Sequence, residues 1–325
     1  MVRTTVVGNY PRVGDTHEEQ RLRRAIARHD LGEVTSEELH NAERDVVRDI
    51  LREQASAGID LVTDGQVTWT DSQSHLARGL GGIEIDGLVR YFDTNTYYRQ
   101  PVVVGPVSWR SPILVEEWRA AQSASKRPVK GVLTGPVTLA ELALDKHYGG
   151  VRPLAFDLAK ALAQEVAALQ AAGARHIQID EPILSRRPEQ IDLVRETLGP
   201  LAASKGPAEL SLFIAFGDVA KIYRRLQELP VDVLGLDLVQ GAKTWAQIKR
   251  RGSSKPLVLG LVDARNTKAE DPAALAARVG ELRGRVDLDA AYLSPSNGLE
   301  FLPRAKAREK LSVLAKAATL AEAGP

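Results

Sequence analysis

Eight short runs rich in β-branched and aliphatic residues recur along the chain, each separated from the next by a longer stretch of helical periodicity. They lie at Thr4–Gly8, Ile59–Thr63, Val129–Leu133, His176–Asp180, Leu210–Ile214, Val233–Leu236, Leu257–Leu261 and Ala290–Leu293. Strands that alternate with helices pair in parallel, because each crossover helix returns the chain to the same end of the sheet. Eight such units in 325 residues predict one α/β domain, a single (β/α)8 barrel over 1–325. Glu37 to Ala57 carries Leu39, Val46, Val47, Ile50 and Leu51 near helical spacing, and Leu154 to Ala172 carries Leu158, Leu162, Val166 and Leu169. Gly58 and Gly173 follow these stretches as C-caps, and Pro303 opens the last helix.

One segment breaks the alternation. Gly79 to Pro112 is turn-rich, with Gly-Gly-Ile-Glu-Ile-Asp-Gly followed by Leu-Val-Arg-Tyr-Phe-Asp-Thr-Asn-Thr-Tyr-Tyr. It predicts a β-rich insertion between the second and third strands. Its Tyr91, Phe92, Tyr97 and Tyr98 form either a stacking surface for a planar ligand or a packing surface for the insertion.

Composition narrows the chemistry. Cysteine is absent, which excludes disulfides, thiolate nucleophiles and cysteine-ligated metals. With 43 Lys+Arg against 42 Asp+Glu, the net charge of +1 gives no reason to expect nucleic acid or an anionic membrane as partner. No apolar run approaches the ~18 residues a membrane span needs. The expectation is a cytoplasmic protein acting on a small molecule.

In a (β/α)8 barrel, functional groups sit at the C-terminal ends of the strands. Here those positions hold Asn9 and Arg12, Asp64 and Gln66, Thr134, Asp180 and Glu181, Asp237, Arg265, and Asn297. Asp180 and Glu181 are adjacent on one strand, so only one can face the barrel interior. Asp180, Asp64 and Asp237 are the candidates for binding and polarising a substrate. Arg12 and Arg265 suit an anionic group or, equally, surface ion pairs. His75, close to Trp69, Asp71 and Ser72, is the one histidine placed to join a site. The spacing of these acids carries no metal signature.

Four stretches give the chain a family likeness: Asn9-Tyr10-Pro11-Arg12-Val13-Gly14, Gly58 to Gly65, Ile177-Gln178-Ile179-Asp180-Glu181-Pro182, and Gly298-Leu299-Glu300-Phe301-Leu302-Pro303-Arg304. They resemble cobalamin-independent methionine synthase, whose superfamily includes uroporphyrinogen decarboxylase. Tyr91 to Asn95, Leu229 to Asp232 with Leu236 to Val239, and Gly260 to Asn266 resemble that enzyme's N-terminal barrel more closely. The resemblance implies a methyl or alkyl transferase, or a related C–S lyase, with Asn9, Gln66 and Asp180 on the amino-acid substrate. No bound cofactor is expected, and the methyl donor is left open, with a methyl-folate and methylcobalamin as candidates. The resemblance also implies zinc, yet the matching positions hold Phe213, Ala215, Asp237 and Asn297, so no metal is expected. Gln66 stands where the family's catalytic barrel has a glutamate. Two other readings follow: a barrel that docks on a separate zinc-bearing barrel or on its own copy, and a small-molecule-binding protein.

Overall fold

A computed structural model describes residues 2–323, so Met1 and the last two residues of the expected 1–325 domain lie outside it. Among the described residues ten strands run in chain order: β1 Arg3–Thr4, β2 Leu80–Arg90, β3 Tyr97–Trp109, β4 Gly131–Thr134, β5 Leu144–Asp145, β6 His176–Asp180, β7 Glu209–Ile214, β8 Val233–Asp237, β9 Leu257–Val262 and β10 Tyr292–Pro295. A seven-stranded sheet has the order β1-β10-β9-β8-β7-β6-β4, and a separate three-stranded sheet the order β2-β3-β5. The chain is therefore α/β, with seven of the expected strand runs in one sheet. Contacts divide it into two compact units: Met1–Thr68, Arg119–Val129 and Leu236–Pro325 in the first, Trp69–Trp118 and Lys130–Gly235 in the second.

In the first unit β1 pairs in parallel with β10, and β10 with β9. The long helices Ser36–Ser56 and Arg304–Ala323 bury Val46, Ile50, Leu51, Leu311 and Leu314. Thr35 and Glu38 form a reciprocal capping box that starts the first of these helices. Its C-terminus closes as expected around Gly58, with Ile59 N–H donating to the Gln54 carbonyl at 3.1 Å. An ionic cluster ties the N-terminal segment to the last helix: Tyr10 Oη donates to Glu53 at 2.9 Å, and Arg304 and Arg308 both pair with Glu53.

The expected strand Ile59–Thr63 is reduced to single parallel bridges, Thr5 with Leu61 and Val62 with Val129. The first strand is likewise Arg3–Thr4 plus one bridge, where a run to Gly8 was expected. The reason is that side chains take over the ladder. Asp60 Oδ2 accepts the Thr4 N–H at 2.9 Å. Buried Gln54 reaches over from its helix, accepting the Thr63 N–H at 3.0 Å and donating to the Thr63 carbonyl at 2.8 Å. Residues whose backbone groups bond to side chains need no partner strand.

In the second unit β4, β6 and β7 are parallel neighbours. The helix Val151–Ala171 carries Leu154, Leu158, Leu162, Val166 and Leu169 into the core. The insertion is an antiparallel hairpin, β2 with β3, extended by β5, which the sequence reading did not foresee. Its far end is anchored by Glu165, a buried carboxylate that accepts Trp109 Nε1–H at 2.7 Å and the N–H groups of Ile113 and Leu114. Its tip is held by an Asp93–Arg186 ion pair of 2.8 Å and by aromatic contacts of Tyr91 and Phe92 with Phe216.

Replacing Gln54 by Leu leaves the buried N–H and carbonyl of Thr63 without partners. Each such orphan costs about 1–3 kcal/mol, so urea denaturation of Gln54→Leu should show a loss of roughly 3 kcal/mol. A loss below about 1 kcal/mol contradicts this account of the reduced strand.

Candidate active site

The strand-end acids divide by what their oxygens do. Asp64 Oδ1 accepts the Gln66 N–H at 2.9 Å, Asp237 Oδ1 accepts those of Val239 and Gln240 at 3.0 and 2.9 Å, and Asp263 Oδ1 accepts that of Arg265 at 2.9 Å. Each closes a turn in which an aspartate binds its own backbone two residues on. Asp64 and Asp237, both candidates for catalysis, thus use one oxygen to shape their loops. Asp180 differs: its Oδ1 accepts a side-chain donor, Gln178 Nε2, at 2.7 Å. It is deeply set yet keeps some surface open to solvent. Burial pushes its carboxyl above the ordinary range, against the Gln178 hydrogen bond and the charge of Lys130.

Glu181, expected among the substrate-binding residues, is wholly buried, and a helix start takes up its carboxylate. Oε1 accepts the Val137 N–H at 2.9 Å, and Oε2 accepts the Thr138 N–H at 2.7 Å and the Thr138 hydroxyl at 2.6 Å. The carboxylate therefore caps the helix Pro136–Leu142 from within the core. Residue 135 must be glycine, since a Cβ there would stand 2.3 Å from the Glu181 carboxyl. Burial raises Glu181 to about 7, with its three hydrogen bonds acting in the opposite direction.

Thr134 is buried and donates its hydroxyl to the Ser72 carbonyl at 2.5 Å, holding a loop. His75 stacks on Trp69, centroids 4.7 Å apart, and its Nε2 meets Glu117 at 3.2 Å. Both residues have structural work to do in the second unit. Nor do the four insertion aromatics share one surface. Tyr98 is buried with its hydroxyl on the Leu142 carbonyl, while Tyr97, its neighbour on the strand, is 56% exposed on the opposite face.

In the first unit three expected residues lie on loops joined by backbone hydrogen bonds, the Tyr10 N–H donating to the Gly65 carbonyl at 3.1 Å and the Leu299 N–H to the Asn9 carbonyl. The Gln66 amide packs on Gly8, where a Cβ would meet its Oε1 at 3.2 Å. The Asn9 carbonyl accepts the Leu299 N–H at 2.9 Å, and a Cβ on Gly298 would lie 3.1 Å from Asn9 Cβ. Asn297 precedes that glycine, and its Oδ1 accepts from Ser296 at 3.4 Å. Gln66 is 4% exposed and Asn297 1%, and among the described residues Gln66 Oε1 and Asn297 Nδ2 have no hydrogen-bond partner. Gln66 also holds φ at 51°, a conformation uncommon outside glycine. A buried acceptor and a buried donor left open are costly unless something else fills them. Arg12 donates to the Val67 carbonyl at 3.0 Å, and burial lowers its pKa against the opposing charge of Glu43. Arg265 is half-buried.

Residues 2–320 match the family model described as "Cobalamin-independent synthase, Catalytic domain". The chain belongs to the cobalamin-independent methionine synthase family. As a member it is a methyltransferase of methionine synthase type. Curated methionine synthases from Saccharolobus solfataricus and Sulfurisphaera tokodaii are 34% and 32% identical, covering 95% and 96% of this chain and 91% and 90% of theirs. A B12-independent methionine synthase from Shewanella sp. W3-18-1, solved with selenomethionine, superimposes with a TM-score of 0.85 at 24% identity over 99% of this chain and 98% of that one. A putative one from Listeria monocytogenes gives 0.77 at 20% identity, covering 98% of both chains. These two structures establish the shared fold.

The residues present do not fit the family's zinc. Phe213 and Ala215 have no donor atoms, and the Phe213 ring fills the space against Gly235, where a Cβ would meet it at 2.2 Å. Asp237 Oδ1 is engaged in its turn. Among the described residues no three His, Cys, Asp or Glu are grouped to hold a metal ion. None of the described helices is long and apolar enough to cross a membrane.

Several residues of this region escaped the sequence reading. Gln178 was legible, because it lies two positions before Asp180 and so shares its face. Lys130 and Thr138 gave no such signal.

Glu181 supplies a pH test. An acid whose folded-state pKa is raised contributes stability below its unfolded value, lost as pH rises through the folded one. The stability difference between wild type and Glu181→Gln should therefore fall as pH rises from 4.5 to about 7. Urea titrations at several pH values read it, and a pH-independent difference contradicts the assignment.

Proposed function

We propose that the chain is one closed (β/α)8 barrel with the 79–112 insertion, working in the cytoplasm as a transferase that moves a methyl or alkyl group onto a small amino-acid or thiol acceptor without zinc. The two single-residue bridges at Leu61 and Val62 support closure, because they lie in the expected second strand, Ile59–Thr63, and join it to the first and third. The match to the catalytic domain's model favours an enzyme over a barrel that only docks on another.

The observation that carries the reading is the pair of open amides, Gln66 Oε1 and Asn297 Nδ2. The first can accept from an ammonium, the second can donate to a carboxylate or carbonyl. Those are the two polar ends of an amino acid. Gln66 in place of a carboxylate lowers the charge facing the ammonium, which suits a weaker or altered amino acid. In the reaction the acceptor thiol gives its proton to solvent, its sulfur bonds to the methyl carbon, and the donor leaves with the electron pair of its broken bond to that carbon. Asp180, taken by itself in the second unit and with its proton affinity raised by burial, is a separate candidate for handling a proton. A methyl-folate and methylcobalamin are the candidate donors to be tested. Relatives named methionine synthase point to a homocysteine-like acceptor.

A thermal-shift panel of homocysteine, methionine, methyl-folates and methylcobalamin tests binding. A true ligand at a hundredfold excess over Kd stabilises by about 2.7 kcal/mol. Gln66→Ala should weaken a bound amino acid by tenfold or more and leave the unliganded melting temperature nearly unchanged. An undiminished shift removes Gln66 from the site, and a silent panel favours the docking or binding-protein reading.

Rate against pH tests the zinc-free chemistry. A thiol left at its ordinary pKa of about 8.5 is only a few per cent ionised at neutrality. The rate with a thiol acceptor should rise about tenfold per unit between roughly pH 6 and 8 as the thiolate fraction grows. A rate flat across that range means the enzyme activates the thiol.

A further inference from the structure

Lys130 sits one residue before β4, and only 4% of it is exposed. Lysine is among the residues least often buried, because the ammonium loses its hydration. Here Nζ donates to Gln178 Oε1 at 2.7 Å, and Gln178, wholly buried, donates through Nε2 to Asp180 Oδ1 at 2.7 Å. The strands enforce this alignment. Gln178 and Asp180 lie two apart on β6 and face the same way, and the β4–β6 register sets Gly131 beside Ile177 and Thr134 beside Asp180.

The chain of bonds has a fixed direction. An ammonium can only donate, so it selects the oxygen of the Gln178 amide. The amide's nitrogen must then face Asp180. One carboxylate oxygen is thereby permanently occupied and the other is aimed by it. We propose that Lys130 is a positioning residue for Asp180: through the Gln178 amide it fixes the orientation of the carboxylate, and its buried ammonium favours the carboxylate's charged form over the neutral acid. This rests on the reading that Asp180 serves the substrate, and it adds to that reading a residue that touches no substrate.

Electrostatics agree with the geometry. Burial pushes Lys130 down and Asp180 up, and each charge opposes the other's shift. Two further acids bear on the pair. Glu209 on β7 helps hold the charge of Lys130 and is itself bonded to His176 at 3.1 Å, and Glu181 follows Asp180 directly. Packing alone gives no reason for an ammonium here, because an apolar side chain of similar length would fill the space without the desolvation cost.

The test is isotope-edited infrared spectroscopy of the carboxyl stretch on carboxyl-labelled protein, with Asp180→Asn to assign the band, followed across pH. Lys130→Met should move the protonation midpoint of Asp180 upward by at least one unit, and Lys130→Arg should bring it back toward wild type. If Lys130→Met does not fold, Gln178→Leu cuts the same chain one link closer and should also raise the midpoint. A midpoint that stays put in whichever variant folds overturns the proposal. The titration needs no substrate. Where methyl transfer is confirmed, the acidic limb of kcat/KM should move by the same amount, and a shifted titration beside an unshifted rate profile leaves Lys130 positioned as proposed while removing Asp180 from catalysis.

Discussion

A carboxylate taken out of water must find donors, and where those donors lie decides what each acid of this protein does. Glu165 meets two backbone N–H groups and an indole, so it anchors the insertion. Glu181 meets the first turn of a helix, so it caps. Asp180 meets one side-chain donor whose orientation is set by a buried ammonium, and it alone of the three keeps solvent access. Their partners sort these carboxylates into two that hold the scaffold and one proposed for the site. The same logic governs the first unit, where Glu53 gathers Tyr10, Arg304 and Arg308 and so fixes the N-terminal segment that carries Asn9 and Arg12.

Turn-building and catalysis compete for the strand-end acids. Asp64, Asp237 and Asp263 each stand where a parallel strand delivers functional groups, and each bonds its own backbone two residues on. Such a turn rigidifies the loop that presents the next side chains. Asp64 shapes the backbone of Gln66, and Gln66 is the residue left with an open acceptor. The acid's contribution is then to hold an amide in place.

Much of the architecture was legible because periodicity reports burial. The runs at His176–Asp180 and Leu257–Leu261 are strands at or within one residue of their expected limits, and the Gly79–Pro112 segment is a hairpin. Side-chain substitution for backbone pairing was not legible. Gln54 and Asp60 replace ladder bonds around the second run, and no local pattern distinguishes a glutamine that does so from one at the surface. The site divides the same way. Asn9, Gln66 and Asn297 could be placed by strand ends and family likeness. That Asp180 rather than Glu181 is the open acid depended on a helix start brought alongside by folding, and His75 was drawn aside by Trp69 and Glu117, the latter far off in sequence.

The zinc-free reading rests on the residues that stand where the family resemblance implies zinc. Phe213 and Ala215 offer hydrocarbon, and Asn297 an amide. The account therefore places recognition on amides and a partly exposed carboxylate, with thiol ionisation left to solvent pH. Its most direct test is zinc content and turnover measured together on protein purified without a histidine tag, before and after exhaustive chelation. The account predicts well under one zinc per chain and turnover indifferent to the chelator. One tightly bound zinc per chain, with activity lost on its removal and restored on its return, would contradict it.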